Sequence, residues 1–235
     1  MNAALLQARV YSGYAKAALR IGYTYSIYRP QGTSAPLSSG YLIGTTPAAF
    51  TSHKAGQFNF DKPDDLHDRP YYHALLDGSL VQVGDFLVAP PATGPEIPPA
   101  AVGPFYIAAK DPLTPILAVR CTRTITISAP GPSQTSAGYT PGSYAGTIIE
   151  TGASNVAPLI VDWPASILQG SRNIKETVLP GDLGAGRWVM MLSAPPGVTL
   201  TQGMLIADDL GNNYGVQTAE LTPRGWLLAA ESTHT

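Results

Sequence analysis

Leu80–Val88 reads LVQVGDFLV, and Phe105–Ala109 and Ile116–Ser128 follow it as FYIAA and ILAVRCTRTITIS. The first stretch is an apolar run interrupted by Gly84-Asp85, a pair that favours a tight turn, so it reads as strand, turn, strand. The last alternates: Cys121, Arg123, Ile125 and Ile127 fall on one face and Thr122, Thr124 and Thr126 on the other. Period two is the mark of a half-exposed antiparallel sheet.

A diluted copy of this pattern returns downstream as RWVMMLSAPPG (187–197) and LTQGMLIADDLGNNYGVQTAELTPRGWLLAA (200–230). Aligning Tyr106 with Tyr214 brings Leu113-Thr114-Pro115 onto Leu221-Thr222-Pro223, with Gly84 and Gly203 upstream. Each unit then reads as strand, hairpin, strand, Leu-Thr-Pro turn, strand. Four shared letters are also what chance supplies, so a duplicated small barrel or roll and two unrelated units both stay open.

Composition points the same way. The 235 residues include 24 Gly and 22 Pro, and only 13% are charged, against roughly 25% charged in ordinary domains. Breakers at this density exclude long helices and a doubly wound α/β sheet. The 44% apolar content excludes full disorder, which needs low hydrophobicity and high charge. The expected class is mainly β: an N-terminal helix and two small antiparallel β-barrel or roll units.

The one helix expected is residues 3–21, where Leu6, Val10, Tyr14, Ala17 and Ile21 recur on one apolar face and Gly22 supplies a stop. Arg9, Lys16 and Arg20 follow a separate polar track. Tyr23–Tyr28 (YTYSIY) reads as a strand ended by Pro30, and residues 31–60 as an irregular arm lying on another surface. The resulting divisions are 1–60, helix and arm; 61–128, first β unit with a Pro-rich insertion at 89–104; 129–147, linker or long loop; and 148–235, second β unit. Within the last, residues 157–163 suggest a strand and Ala165–Gln169 a single helical turn.

The net charge of −2 conceals a segregation. Residues 1–60 carry Arg9, Lys16, Arg20, Arg29 and Lys54 and no acid, while the remaining 175 carry 9 cations against 16 acids. Such polarity steers docking to an acidic partner or to other copies of the chain. Arg9, Tyr14, Lys16, Arg20 and Arg29 are therefore the candidate assembly interface.

The search for chemistry returns little. There is no P-loop, no Gly-x-Ser-x-Gly elbow and no His-Glu-x-x-His, and a single Cys121 excludes disulfides and cysteine-pair metal sites. The segment Asp61–His73 gathers Asp61, Asp64, Asp65, His67, Asp68 and His73, metal-type ligands that two prolines keep off any regular element. A solvated acidic turn is the plainer reading. It is also the segment on which a hydrolase would depend, through Asp64 and His67. Asp208-Asp209 precedes Gly211-Asn212-Asn213 and reads as a hairpin turn. No metal, cofactor or catalytic residue is assigned. Charges at residues 9, 16 and 20 interrupt the apolar stretch a signal peptide needs, and no run of about 18 apolar residues spans a membrane. Few cations beyond residue 60 leave nucleic acid at most an incidental partner.

The hydrophobic–Gly–Asp–hydrophobic pair of Val81-Gln82-Val83-Gly84-Asp85-Phe86-Leu87-Val88, with its Tyr-containing strand and Leu-Thr-Pro turn, resembles the β-barrels of tailed-bacteriophage virion proteins. Those are the head–tail joining, neck and tail-completion kinds. Gly203–Ala230 is similar to the same unit without its aspartate. The resemblance covers 80–128 and 187–231. It implies a non-enzymatic structural protein that forms a ring with copies of itself, contacts portal, adaptor or tail proteins, and resides in the virion after assembly in the host cytoplasm. The long N-terminal helix and the 89–104 insertion depart from the pattern and leave its position in the particle open. The alternative is a carbohydrate-binding or adhesin-type β module using tyrosine and tryptophan, with Trp226 and Tyr139 as the residues to test.

Overall fold

A computed structural model describes residues 3–52, 70–90, 103–129, 158–169 and 187–233. Helix α1 (Ala3–Ile21) ends where the Gly22 N–H bonds the Ala18 carbonyl, as the glycine stop predicts. Among the described residues, twelve strands follow. The first six are β1 (Tyr23–Tyr28), β2 (Leu42–Ser52), β3 (Tyr71–Leu75), β4 (Phe86–Val88), β5 (Phe105–Ala109) and β6 (Ile116–Arg120). The second six are β7 (Arg123–Ser128), β8 (Pro158–Gln169), β9 (Arg187–Leu192), β10 (Leu205–Asp208), β11 (Asn213–Thr222) and β12 (Gly225–Ser232).

They form two closed antiparallel barrels, β1-β2-β3-β6-β5-β4 and β7-β8-β9-β12-β11-β10. The strand order is the same in both, and the ladders correspond residue for residue apart from one extra bulge in β8. Thr24 faces Pro47 and Thr124 faces Pro164. Each first ladder then skips one residue, Ile43 or Leu159, between the pairs Ile27–Gly44 and Tyr28–Leu42, or Ile127–Ile160 and Ser128–Pro158. The fifth and sixth strands bulge alike, at Ala108 between Ile107–Ala118 and Ala109–Leu117, and at Gln217 between Val216–Ala230 and Thr218–Ala229. Bulges are specific departures from a ladder, so their recurrence at matched places makes the second barrel a repeat of the first unit.

The matched glycines hold. Gly84 and Gly203 have φ of 94° and 86°, a region open to glycine, and donate to Ile107 O and Val216 O at 2.9 and 2.8 Å. The tyrosine alignment is off by one residue. Phe86 faces Tyr106 where Leu205 faces Gly215, so Tyr214 matches Phe105 and Tyr106 matches Gly215. Hydrogen-bond register, and not residue identity, fixes equivalence. Leu113-Thr114-Pro115 lies in the connection between β5 and β6, whereas Leu221-Thr222 ends β11 and only Pro223 enters the turn to β12.

Three local expectations change. Leu80–Val83 is not a strand: it forms the approach to the Gly84 turn, and only Phe86–Val88 pairs. Ala165–Gln169 is not a helical turn but the second half of β8, held against β9 from Ala165–Leu192 to Gln169–Trp188. ILAVRCTRTITIS is two strands, not one, because the chain leaves the first barrel at Arg120 and enters the second at Arg123. The changeover thus falls inside residues 61–128, the span expected to be the first unit. Of residues 129–147, only Ala129 is described. The Pro-rich insertion lies outside the described residues except for Ala89, Pro90, Gly103 and Pro104.

The arm divides into parts. β1 and β2 are the first hairpin of barrel one, and between them residues 33–37 lie on the chain's own second barrel. There Val161, at an extra bulge of β8 beside Asp162 (φ 53°), donates to Thr33 O at 3.0 Å and accepts from Ala35 N at 2.9 Å.

Two cores result. Tyr25, Ile27, Leu87, Phe105, Ile107 and Ile116 fill barrel one. Phe86, Tyr106, Ala108 and Val119 point the other way and join the core of barrel two, where the Phe86 ring meets Trp163 edge-on at 5.8 Å. This two-sided burial explains why FYIAA is apolar without alternation.

Candidate assembly surface

Helix α1 packs on β2 and β3 of barrel one. Its inward line is Gln7, Tyr11, Tyr14 and Ala18, of which Ala18 is fully buried. Gly78 is buried directly beneath Tyr11, leaving no room there for a side chain. The Gln7 Oε1 accepts the Leu113 N–H at 2.7 Å. Lys110 Nζ sits 5.3 Å from the Tyr11 ring centroid and donates to Val81 O at 3.1 Å. The buried line is therefore rotated from the expected apolar face: Leu6, Val10, Tyr14 and Ala17 are half-buried, and Ile21 is exposed.

At 3.6 residues per turn, Arg9, Lys16 and Arg20 fall within an arc of about 40°, opposite Ala18. All three are exposed, and among the described residues none has an ion-pair partner. Leu5 and Leu19, 62% and 70% exposed, border the stripe on one side. A groove of about 500 Å³ runs beside them between the helix and the Asp77–Ser79 turn. A search for one apolar face passes over these two leucines. Their positions on the helical wheel, adjacent to the cations, carry the signal.

The five interface candidates separate. Arg9, Lys16 and Arg20 share the outer stripe, whereas Tyr14 turns toward the barrel. Arg29 sits apart at the end of β1, where its Nε and Nη2 donate to Asp85 Oδ1 and Oδ2 at 2.9 and 2.8 Å. That bond raises the guanidinium pKa further, so Arg29 stays charged. Asp85, 2% exposed, also accepts the Gln82 N–H at 2.8 Å. In barrel two Met204 takes the place of Asp85, its Sδ accepting the Thr201 N–H at 3.4 Å, and Ala129 follows β7 where Arg29 follows β1.

A second concavity of about 470 Å³ opens at the seam of the barrels, lined by Tyr71, Tyr106, Asp111, Arg224 and Trp226 among others, with Arg224 over the Tyr71 ring at 5.9 Å. Trp226 is only 5% exposed, so it offers no open stacking platform. Tyr139 lies outside the described residues. Burial pushes the Tyr106 phenol and the Cys121 thiol up, which keeps both protonated.

Asp61, Asp64, Asp65, His67 and Asp68 lie outside the described residues, and His73 lies on β3. Among the described residues, no three His, Cys, Asp or Glu side chains gather as a metal set. Asp208 shows the expected turn chemistry, accepting from Leu210 N, Asn212 N, Asn212 Nδ2 and the Tyr214 hydroxyl at 2.8–3.0 Å. No family model matches the chain, and neither a curated protein nor a solved structure shows significant similarity to it.

Proposed function

We propose that the chain is a non-enzymatic structural subunit of a tailed-bacteriophage virion, a ring-forming component of the head–tail connector, neck or tail. The observation that carries this reading is the outer face of α1, where three cations and two exposed leucines stand together without a partner in the described chain. Exposed apolar side chains beside like charges suit a surface that another protein covers. The likeness of Val81–Val88 and its following strand to virion barrels supplies the kind of particle, and the repeated closed barrel supplies a rigid body for it.

Mass spectrometry and electron microscopy of purified virions test the reading. The chain is expected in intact particles, at a copy number consistent with a ring. Its absence from every particle of a phage that encodes it overturns the proposal.

A further inference from the structure

We infer that copies of the chain join head to tail, the outer face of α1 on one copy lying along β11 of the second barrel on the next. The inference rests on the proposed assembly role and adds the receiving surface.

The receiving side has the complementary character. At one end of β11 the turn carries exposed Asp209 and Leu210, the latter 62% exposed. At the other end are exposed Glu220 and Leu221, the latter 59% exposed. Asp209 has one distant partner, Arg123 at 4.0 Å, and Glu220 has none among the described residues. Leucine beside an acid faces leucine beside a cation. The same cationic stripe set against itself would bring Arg9, Lys16 and Arg20 of two helices together, and like charges at short range exclude that isologous arrangement.

Length and exposed backbone agree. Leu5 to Leu19 spans about 21 Å at the helical rise, and Asn213 to Leu221 about 26 Å at the strand rise. β11 pairs with β10 only through Gly215, and its bonds to Gly203 and Met204 end at Val216. From Thr218 to Leu221 that edge meets no strand among the described residues. An open edge is normally charged or covered by a helix or loop, and here Glu220 does the first while the neighbour's α1 does the second. Because the two surfaces differ, the contact is heterologous, and repetition closes a ring or extends a filament.

Sedimentation velocity of the full chain tests the contact. At about 50 µM and low salt, where a micromolar contact is largely occupied, the wild type is expected at multiples of the chain mass. The contact should weaken about tenfold at about 0.5 M salt. Leu19→Asp and Leu221→Asp should each give monomers with an unchanged circular dichroism spectrum. Mixed in equal amounts, they should form a two-chain species and nothing larger, since one intact helix face meets one intact β11. Where an aspartate variant unfolds, Lys16→Glu and Glu220→Lys replace the pair: each alone dissociates, and the two in one chain reassociate. A monomeric wild type, an unaffected Leu221→Asp or Glu220→Lys, or a mixture that stays monomeric overturns the contact. The virion experiment is independent of these outcomes, so a monomer found in particles removes the contact alone, and a head-to-tail assembly absent from particles removes the virion role alone.

Discussion

Arg29 grips Asp85 with two arms of its guanidinium, across 56 residues of sequence, and ties the end of β1 to the turn that launches β4. Asp85→Ala leaves Arg29 and the Gln82 N–H without their acceptor. We expect a loss of about 2–4 kcal/mol, below the full figure for a buried pair because Arg29 keeps some water. The double variant Arg29→Ala/Asp85→Met reproduces the pairing found in barrel two and should recover about half of that loss. Urea denaturation of the wild type, Asp85→Ala and the double variant checks this.

Asp208 should make stability pH-dependent in acid. Burial raises its pKa, but the hydrogen bonds from Asn212, Tyr214 and Leu210 outweigh it and hold the carboxyl below its ordinary 3.8. The unfolded chain therefore takes up the proton first as pH falls. The contribution is complete above 3.8 and is lost as pH falls through the lower folded value. Asp208→Asn is expected to cost about 1–2 kcal/mol at neutral pH, with the gap closing in strong acid. Urea titrations at several pH values measure it.

The alkaline limb belongs in part to Tyr214. Burial first, then the hydrogen bond to Asp208 and its charge, push the phenol up to about 12. Here the folded value lies above the unfolded 10.0, so the stabilisation is present below pH 10.0 and disappears as pH rises toward 12. Tyr214→Phe should flatten stability across that window, and ultraviolet titration should lose one late-ionising tyrosine.

Gly78→Ala should loosen α1. The added Cβ would fall on the Tyr11 ring, which must swing away from Lys110. Overpacking of this kind costs about 1–3 kcal/mol, and limited proteolysis within α1 should quicken more than cleavage within the barrels.

Phe86→Ala should uncouple the barrels. Phe86 is fully buried in the core of barrel two although its strand belongs to barrel one. We expect a loss of about 3–5 kcal/mol and the broadening or splitting of a single thermal transition, read by calorimetry.

Much of this architecture is legible in the order of the residues alone. The periodicity of residues 3–21 gives the helix, the Gly84 and Gly203 turns give one anchor of the repeat, and the cations at 9, 16 and 20 give the exposed stripe. What escapes is set by tertiary contacts. Leu80–Val83 has strand-forming residues, yet its backbone is taken up by the Gly84 turn and Lys110. The β8 residues Ala165–Gln169 look helical, yet β9 pairs with all of them and Thr122, just before β7, bonds Ala165 and Ile167. Residues 33–37 carry no periodicity because their partner is the bulge at Val161. The Arg29–Asp85 pair leaves no local trace, since its members are separated by most of barrel one. The likeness of the two barrels is hidden because their outer faces differ: Phe86, Tyr106, Ala108 and Val119 are covered, while their counterparts Leu205, Gly215, Gln217 and Glu231 face outward to varying degrees.

The two-residue passage from β6 to β7 sets how the molecule answers mechanical force. Cys121 is bonded back to Pro104 in barrel one, and Thr122 forward to Ala165 and Ile167 in barrel two. A link of two residues reaches about 7 Å at full extension, and with both residues bonded into the barrels it has little freedom to hinge. Torque applied to one barrel therefore passes to the other with little slack, and the chain should behave under tension as a single stiff strut.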